Sequence, residues 1–168
     1  MKFYKGYINN LTENQIFVFG SNPEGRHGAG TAKIARIKFG AKYGNGRGIQ
    51  GQSYALPTKN LKAGFYEKET GIKYSKAGYK SISEEQIIKN IIELYSYAKS
   101  NPEKEFLIAY QNEGFNLNGY TSEEMLDMFL SAGPIPENIV LSETYKELYF
   151  LKTQKLKKIE EKKFELGF

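Results

Sequence analysis

The chain has 168 residues, with no cysteine and no tryptophan; it is 40 % hydrophobic and 14 % aromatic and carries a net charge of +5. That aromatic content excludes a disordered chain. The missing cysteine excludes a disulfide framework, a zinc finger and a thiol nucleophile, and the length allows one sizeable core rather than two.

In chain order, residues 15–20 (QIFVFG) form a short apolar run ending at glycine, the pattern of a buried strand. A polar, glycine-rich turn over 21–30 follows. Residues 31–42 then carry Ala32, Ala35 and Phe39 at helical spacing, with Ile34 and Ile37 between. Residues 53–57 (SYALP) predict a second strand. Residues 60–82 lack a clean period and read as a long excursion, either a lid or a solvated insertion. Ser83 with Gln86 makes a capping box, and Ile87, Ile88, Ile91, Ile92, Tyr95 and Ala98 form the apolar face of the helix it starts. Asn101-Pro102 stops that helix.

Residues 106–110 (FLIAY) predict a third strand. A second glycine-containing loop leads to Thr121 and Glu124, another capping box, and the helix it opens stops at Gly133-Pro134. Residues 138–142 (NIVLS) predict a fourth strand. The alternation of strands and helices predicts an α/β fold, a three-layer α/β/α sandwich with a mixed central sheet. Residues 1–143 make up the domain, and 144–168 a charged helix packing on it or extending from it.

That tail holds seven Lys and four Glu. The body is therefore only mildly basic, and nucleic acid is disfavoured as a partner. No apolar run approaches the ~20 residues of a membrane span, and the first residues lack the apolar stretch of a secretory signal. A soluble, cytoplasmic protein with no membrane partner is expected, with a homo-oligomer left open. No metal or cofactor is expected; His27 is the only histidine.

In open α/β sheets, ligands bind beyond the carboxyl ends of strands. Two loops leave predicted strand ends there and enter helix starts. The first runs from Gly20 and Ser21 through Asn22 and Arg26 to Gly30. The second runs from Glu113 through Gly114 and Phe115 to Tyr120. Both present backbone N–H groups and a positive helix end to an anion, and together they suit a diphosphate. Neither is a P-loop or a dinucleotide fingerprint. The structural alternative for each is a tight turn.

The stretches Val18-Phe-Gly-Ser-Asn22, Arg26-His-Gly-Ala-Gly30 and Gly51-Gln-Ser-Tyr-Ala-Leu-Pro-Thr-Lys59 resemble a bacterial and phage group of macro-domain-like proteins. Gly114-Phe-Asn-Leu-Asn-Gly-Tyr120, followed by Glu123-Glu124 and Phe129, is similar to that group's second phosphate loop. The resemblance spans roughly residues 15–142. It implies a three-layer α/β fold that binds ADP-ribose, with hydrolysis of ADP-ribosyl bonds or ADP-ribose phosphates in some members.

The resemblance puts Asn22 near the distal ribose and wraps Gly28, Ala29 and Gly30 around the ribose and diphosphate. It lines the cleft with Tyr54, Pro57 and Thr58. It lays Gly114, Asn116, Gly119 and Tyr120 over the diphosphate, with Tyr120 stacking on or covering the ligand. Two departures stand out. Asn116 occupies a position where a glycine is usual. No aspartate precedes Asp127, so Asn10 or Glu13 would have to meet the adenine amino group.

Arg26, Arg47 and Lys59 are candidate phosphate partners; each is otherwise a surface cation. His27 reads as a ligand contact or general base, or as a residue that only orders its loop. Glu24 and Glu113 are the carboxylates nearest the cleft. Tyr66, Tyr74 and Tyr79 either close over a base or anchor the excursion. The expected ligand is an ADP-ribose-type or cyclic nucleotide. In a phage setting, binding would sequester a host immune signal. The alternative is a hydrolase using Asn22 with His27 or a loop glutamate such as Glu113.

Overall fold

The computed structural model describes residues 1–167; Phe168, the end of the predicted tail helix, lies outside the described residues. The elements in chain order are β1 (Lys2–Tyr4), β2 (Gln15–Ser21), α1 (Gly30–Lys38), β3 (Gly48–Gln50), β4 (Ser53–Pro57), β5 (Phe65–Glu67), β6 (Ile72–Tyr74), α2 (Glu84–Ser100), β7 (Glu105–Ile108), α3 (Ser122–Ser131), β8 (Ile139–Ser142) and α4 (Lys146–Glu165). Six strands form one sheet in the order β1-β8-β7-β2-β4-β3, and β5 and β6 form a separate hairpin. Pairing in the large sheet is parallel except at β3, which runs antiparallel to β4 at the edge. The fold is α/β, a three-layer sandwich on a mixed sheet, as the sequence predicts.

Strand alternation builds the two outer layers. Ile16 and Val18 of β2 face a core shared with Leu56, Phe106 and Ile108 and covered by α2 and α3. Phe17 and Phe19 face the other way, against Ala32 and Ala35 of α1. Ile8 and Leu11, in the segment after β1, pack on this second face.

Three local readings change. The first helix ends at Lys38, four residues early. Gly40 there has φ +77°, and its missing Cβ lets the Cα of Gly51 approach. The apolar face of α2 is also rotated: Ile92 is 49 % exposed, while Leu94 and Asn90 are buried. Only half of its capping box forms. Ser83 accepts from the Gln86 amide, but the Gln86 side chain donates to Asn90 Oδ1 at 3.0 Å.

The excursion is a folded hairpin anchored to the body. Tyr74 and Ile82 are buried in the larger core. Arg47 holds Glu67 through two contacts of 3.0 Å, and its Nη1 reaches Asn90 and Glu93 on α2. Thr70 and Tyr74 also donate to Glu67.

The first turns of α4 dock through Leu148 and Tyr149, and Lys152 pairs with Glu123 and Asp127 of α3. No residue of α4 is fully buried. Its projection fits an exposed surface of 9617 Å², above the roughly 8,400 Å² expected of a compact chain of this mass. No helix among the described residues is long and apolar enough to cross a membrane.

Candidate functional site

β2 and β7 are parallel neighbours. The chain leaves β2 for α1 on one face of the sheet and then for β4 on one side. It leaves β7 for α3 on the opposite face and then for β8 on the other side. The two connections diverge, so a crevice opens between them at the carboxyl ends. This is the topological switch point where open α/β sheets take ligands. Both predicted loops lie on it, and they touch: a Cβ on Gly30 would sit 3.2 Å from Leu117 Cδ1.

The first loop is fastened internally. Asn22 Oδ1 accepts from the Arg26 amide and Asn22 Nδ2 donates to the Arg26 carbonyl, both at 2.9 Å. Ser21 Oγ donates to the Gly46 carbonyl, and Arg36 Nε donates to the His27 carbonyl. His27 is fully buried, edge-on to Phe19. Its Nε2 lies 2.9 Å from the Asn45 carbonyl, which can only accept, so Nε2 carries the proton. Nδ1 is left buried without a partner. This is the geometry of the loop-ordering alternative. Arg26 is exposed and pairs with Glu24 at 3.0 Å.

What the first loop leaves open is backbone. Gly28, Ala29 and Gly30 are exposed, and a Cβ on Gly28 would meet nothing within 4 Å. Ala29 is extended (φ −148°, ψ 159°), and no side chain caps α1. The amides of its first turn therefore have no capping partner and face the crevice end with the positive pole of the helix.

The second loop differs. Thr121 and Glu124 form a complete capping box, so the first turn of α3 is satisfied by its own side chains. Gly114 has open space where a Cβ would stand, and Phe115 beside it is 80 % exposed. Gly119 serves a different purpose. A Cβ there would lie 2.8 Å from Tyr79 Cβ and 2.9 Å from the Lys80 amide nitrogen; its hydrogen admits the excursion, not a phosphate. Asn116 donates through Nδ2 to the Tyr120 carbonyl, closing the loop on itself.

Other predicted residues take structural posts. Tyr120 is buried and donates to the Ile82 carbonyl at 2.6 Å, pinning the excursion rather than covering a ligand. Tyr54 sits mid-strand in the core against Tyr97. The Pro57 carbonyl accepts from Asn90. Thr58 is buried, with Oγ1 3.0 Å from the Tyr110 hydroxyl, and a Cβ on Gly20 would collide with that hydroxyl. Burial pushes the Tyr110 hydroxyl up to about 12 even though Thr58 and Asn118 pull it down, so it stays protonated at neutral pH. Glu113 is exposed and accepts from Tyr7. Arg47 belongs to the Glu67 clamp.

Two surface hollows lie elsewhere. One of about 550 Å³ borders Glu143, Lys146, Phe150 and Leu151; the other, about 350 Å³, runs between α3 and α4 past Leu130, Leu156 and Ile159. Lys146 borders the first, and Lys152 and Lys155 border the second. At the strand ends, Leu117 lies over Gly30, beside the uncapped first turn of α1.

Sequence reasoning missed Tyr110, whose hydroxyl joins Thr58, just after β4, to Asn118 of the second loop, and Leu117, which lies over Gly30. The signal for Tyr110 was its place at the end of the FLIAY run. No protein-family model matches this chain, and a search of curated proteins finds no match. The class of protein is therefore defined by fold and site: an α/β sandwich with a strand-end crevice between two glycine loops.

Proposed function

We propose that the chain binds a nucleotide of the ADP-ribose or cyclic type at the strand-end crevice and holds it without turnover. The observation that carries this reading is the switch point between β2 and β7, with the uncapped start of α1 at its edge. An anionic phosphate there would accept from the amides of Gly28 to Thr31, where a side-chain cap would otherwise stand. Leu117, 61 % exposed, would swing aside to admit it. The resemblance to macro-domain-like proteins agrees with the architecture and with the location of the first loop.

Binding without turnover is favoured by what the three candidate catalytic groups already do. Both ends of the Asn22 amide are engaged within the loop. His27 is sealed in the interior. Glu113 is exposed and accepts from the Tyr7 hydroxyl. Sequestration of the ligand is the activity that remains.

The test is direct. The protein is incubated with ADP-ribose and with cyclic nucleotides, washed and denatured, and the released molecules are analysed. Recovery of intact ligand is expected. Converted product would replace this reading with a hydrolase, and no retention of any nucleotide would overturn it.

A further inference from the structure

Of the three excursion tyrosines, the structure separates one from the others. Tyr74 is buried and bonded to Glu67, and Tyr66 lies on hairpin strand β5. Tyr79 stands at the strand-end face, 76 % exposed, between the end of β4 and the second glycine loop. Lys59 Nζ lies 5.7 Å from its ring centroid, and Gly119 lies directly beneath its backbone.

An exposed aromatic ring is usually carried by a mobile loop, but this one has a rigid base. Lys80 has φ +54°, the one positive value at a non-glycine position among the described residues. Such a conformation persists only where neighbours over-determine it. Here the Lys80 amide donates to the Asn118 carbonyl at 2.7 Å, and its Nζ lies 5.4 Å from the Tyr120 ring centroid. Gly78 donates to the Asn60 carbonyl, and Tyr120 holds Ile82 from the other side. The fold thus fixes the main chain on both sides of a side chain that contributes almost nothing to the core.

We propose that Tyr79 is the stacking platform for the base of the bound nucleotide, and that the excursion is the element that selects the ligand. This rests on the reading of the strand-end crevice as a nucleotide site. A planar base lies on the open part of the ring, and Lys59 beside it adds a cation for the attached phosphate. Base–aromatic stacking accepts any planar base, so the platform distinguishes ligands that carry a base from those that do not.

The experiment titrates wild type, Tyr79→Ala, Tyr79→Phe and Gly28→Val with ADP-ribose and with adenosine, which has a base but no phosphate. Calorimetry is the readout, with the Tyr79 ring resonances followed by NMR. Tyr79→Ala is expected to weaken ADP-ribose about tenfold and to abolish calorimetric binding of adenosine, with an unchanged melting temperature. Tyr79→Phe should bind as wild type does. If ADP-ribose binds wild type but Tyr79→Ala binds it equally, the platform is wrong and the crevice stands. If adenosine moves the Tyr79 resonances while Gly28→Val binds ADP-ribose normally, the platform stands and the crevice is wrong. If neither probe binds wild type, both are wrong.

Discussion

Replacing Ala29 with aspartate should stabilise the protein and disable it together. Of the long helices that flank the sheet, α2 and α3 carry Ser83 and Thr121 at their caps and two glutamates each in the first turn. α1 has neither a cap side chain nor an acidic first turn, yet Ala29 already has the extended backbone that a cap needs. Ala29→Asp supplies an acceptor for the open amides, worth about 1 kcal/mol. For a protein of this size that raises Tm by about 2–4 °C, read by thermal melting. The same carboxylate occupies the place of the ligand phosphate and repels it, so calorimetric titration with ADP-ribose should show binding at least about tenfold weaker. Ala29→Ser should give a similar gain in Tm with a smaller loss of affinity, because it caps without charge. An Ala29→Asp protein that melts higher yet binds ADP-ribose as wild type does would refute the assignment of these amides to the ligand.

Two further outcomes test the supports of the site. Arg47→Ala strands the buried carboxylate of Glu67 and should cost about 3–5 kcal/mol in urea unfolding. Burial pushes the Glu67 carboxyl up, but the bonds from Arg47, Thr70 and Tyr74 outweigh it and hold the carboxyl below its ordinary value of 4.5. The clamp therefore contributes fully above about pH 4.5 and fades as pH falls through the folded value. The gap between wild type and Arg47→Ala should narrow in acid, and a constant gap would contradict the clamp. Gly119→Ala drives a Cβ into Tyr79 and Lys80 at φ +90° and should cost about 1–3 kcal/mol. Hydrogen exchange at the Lys80 amide should accelerate, and unchanged protection there would contradict the packing.

The parts of the fold legible in the sequence were those with local causes. QIFVFG is a strand because both faces of β2 are covered, so the apolar run is continuous. The Thr121–Glu124 box marks the start of α3 because cap and partner lie within one turn. The rotated face of α2 had no local signal: Asn90 is buried because Arg47, Gln86 and the Pro57 carbonyl meet it there, and two of those partners are distant in the chain. β1 and β3 have three residues each, too few for a period. In the site, the two loops were found at the correct strand ends, but their glycines could not be sorted from sequence. Gly20 and Gly119 admit other parts of the protein, whereas Gly28 and Gly114 face open space.

Gly28 therefore provides the sharpest test of the central claim. Nothing lies within 4 Å of a Cβ built on it, and its φ is outside the left-handed region, so Gly28→Val should fold and melt like wild type. Calorimetric titration with ADP-ribose should show saturable binding to wild type and none to Gly28→Val. Equal binding by the two proteins would contradict a nucleotide site at the start of α1.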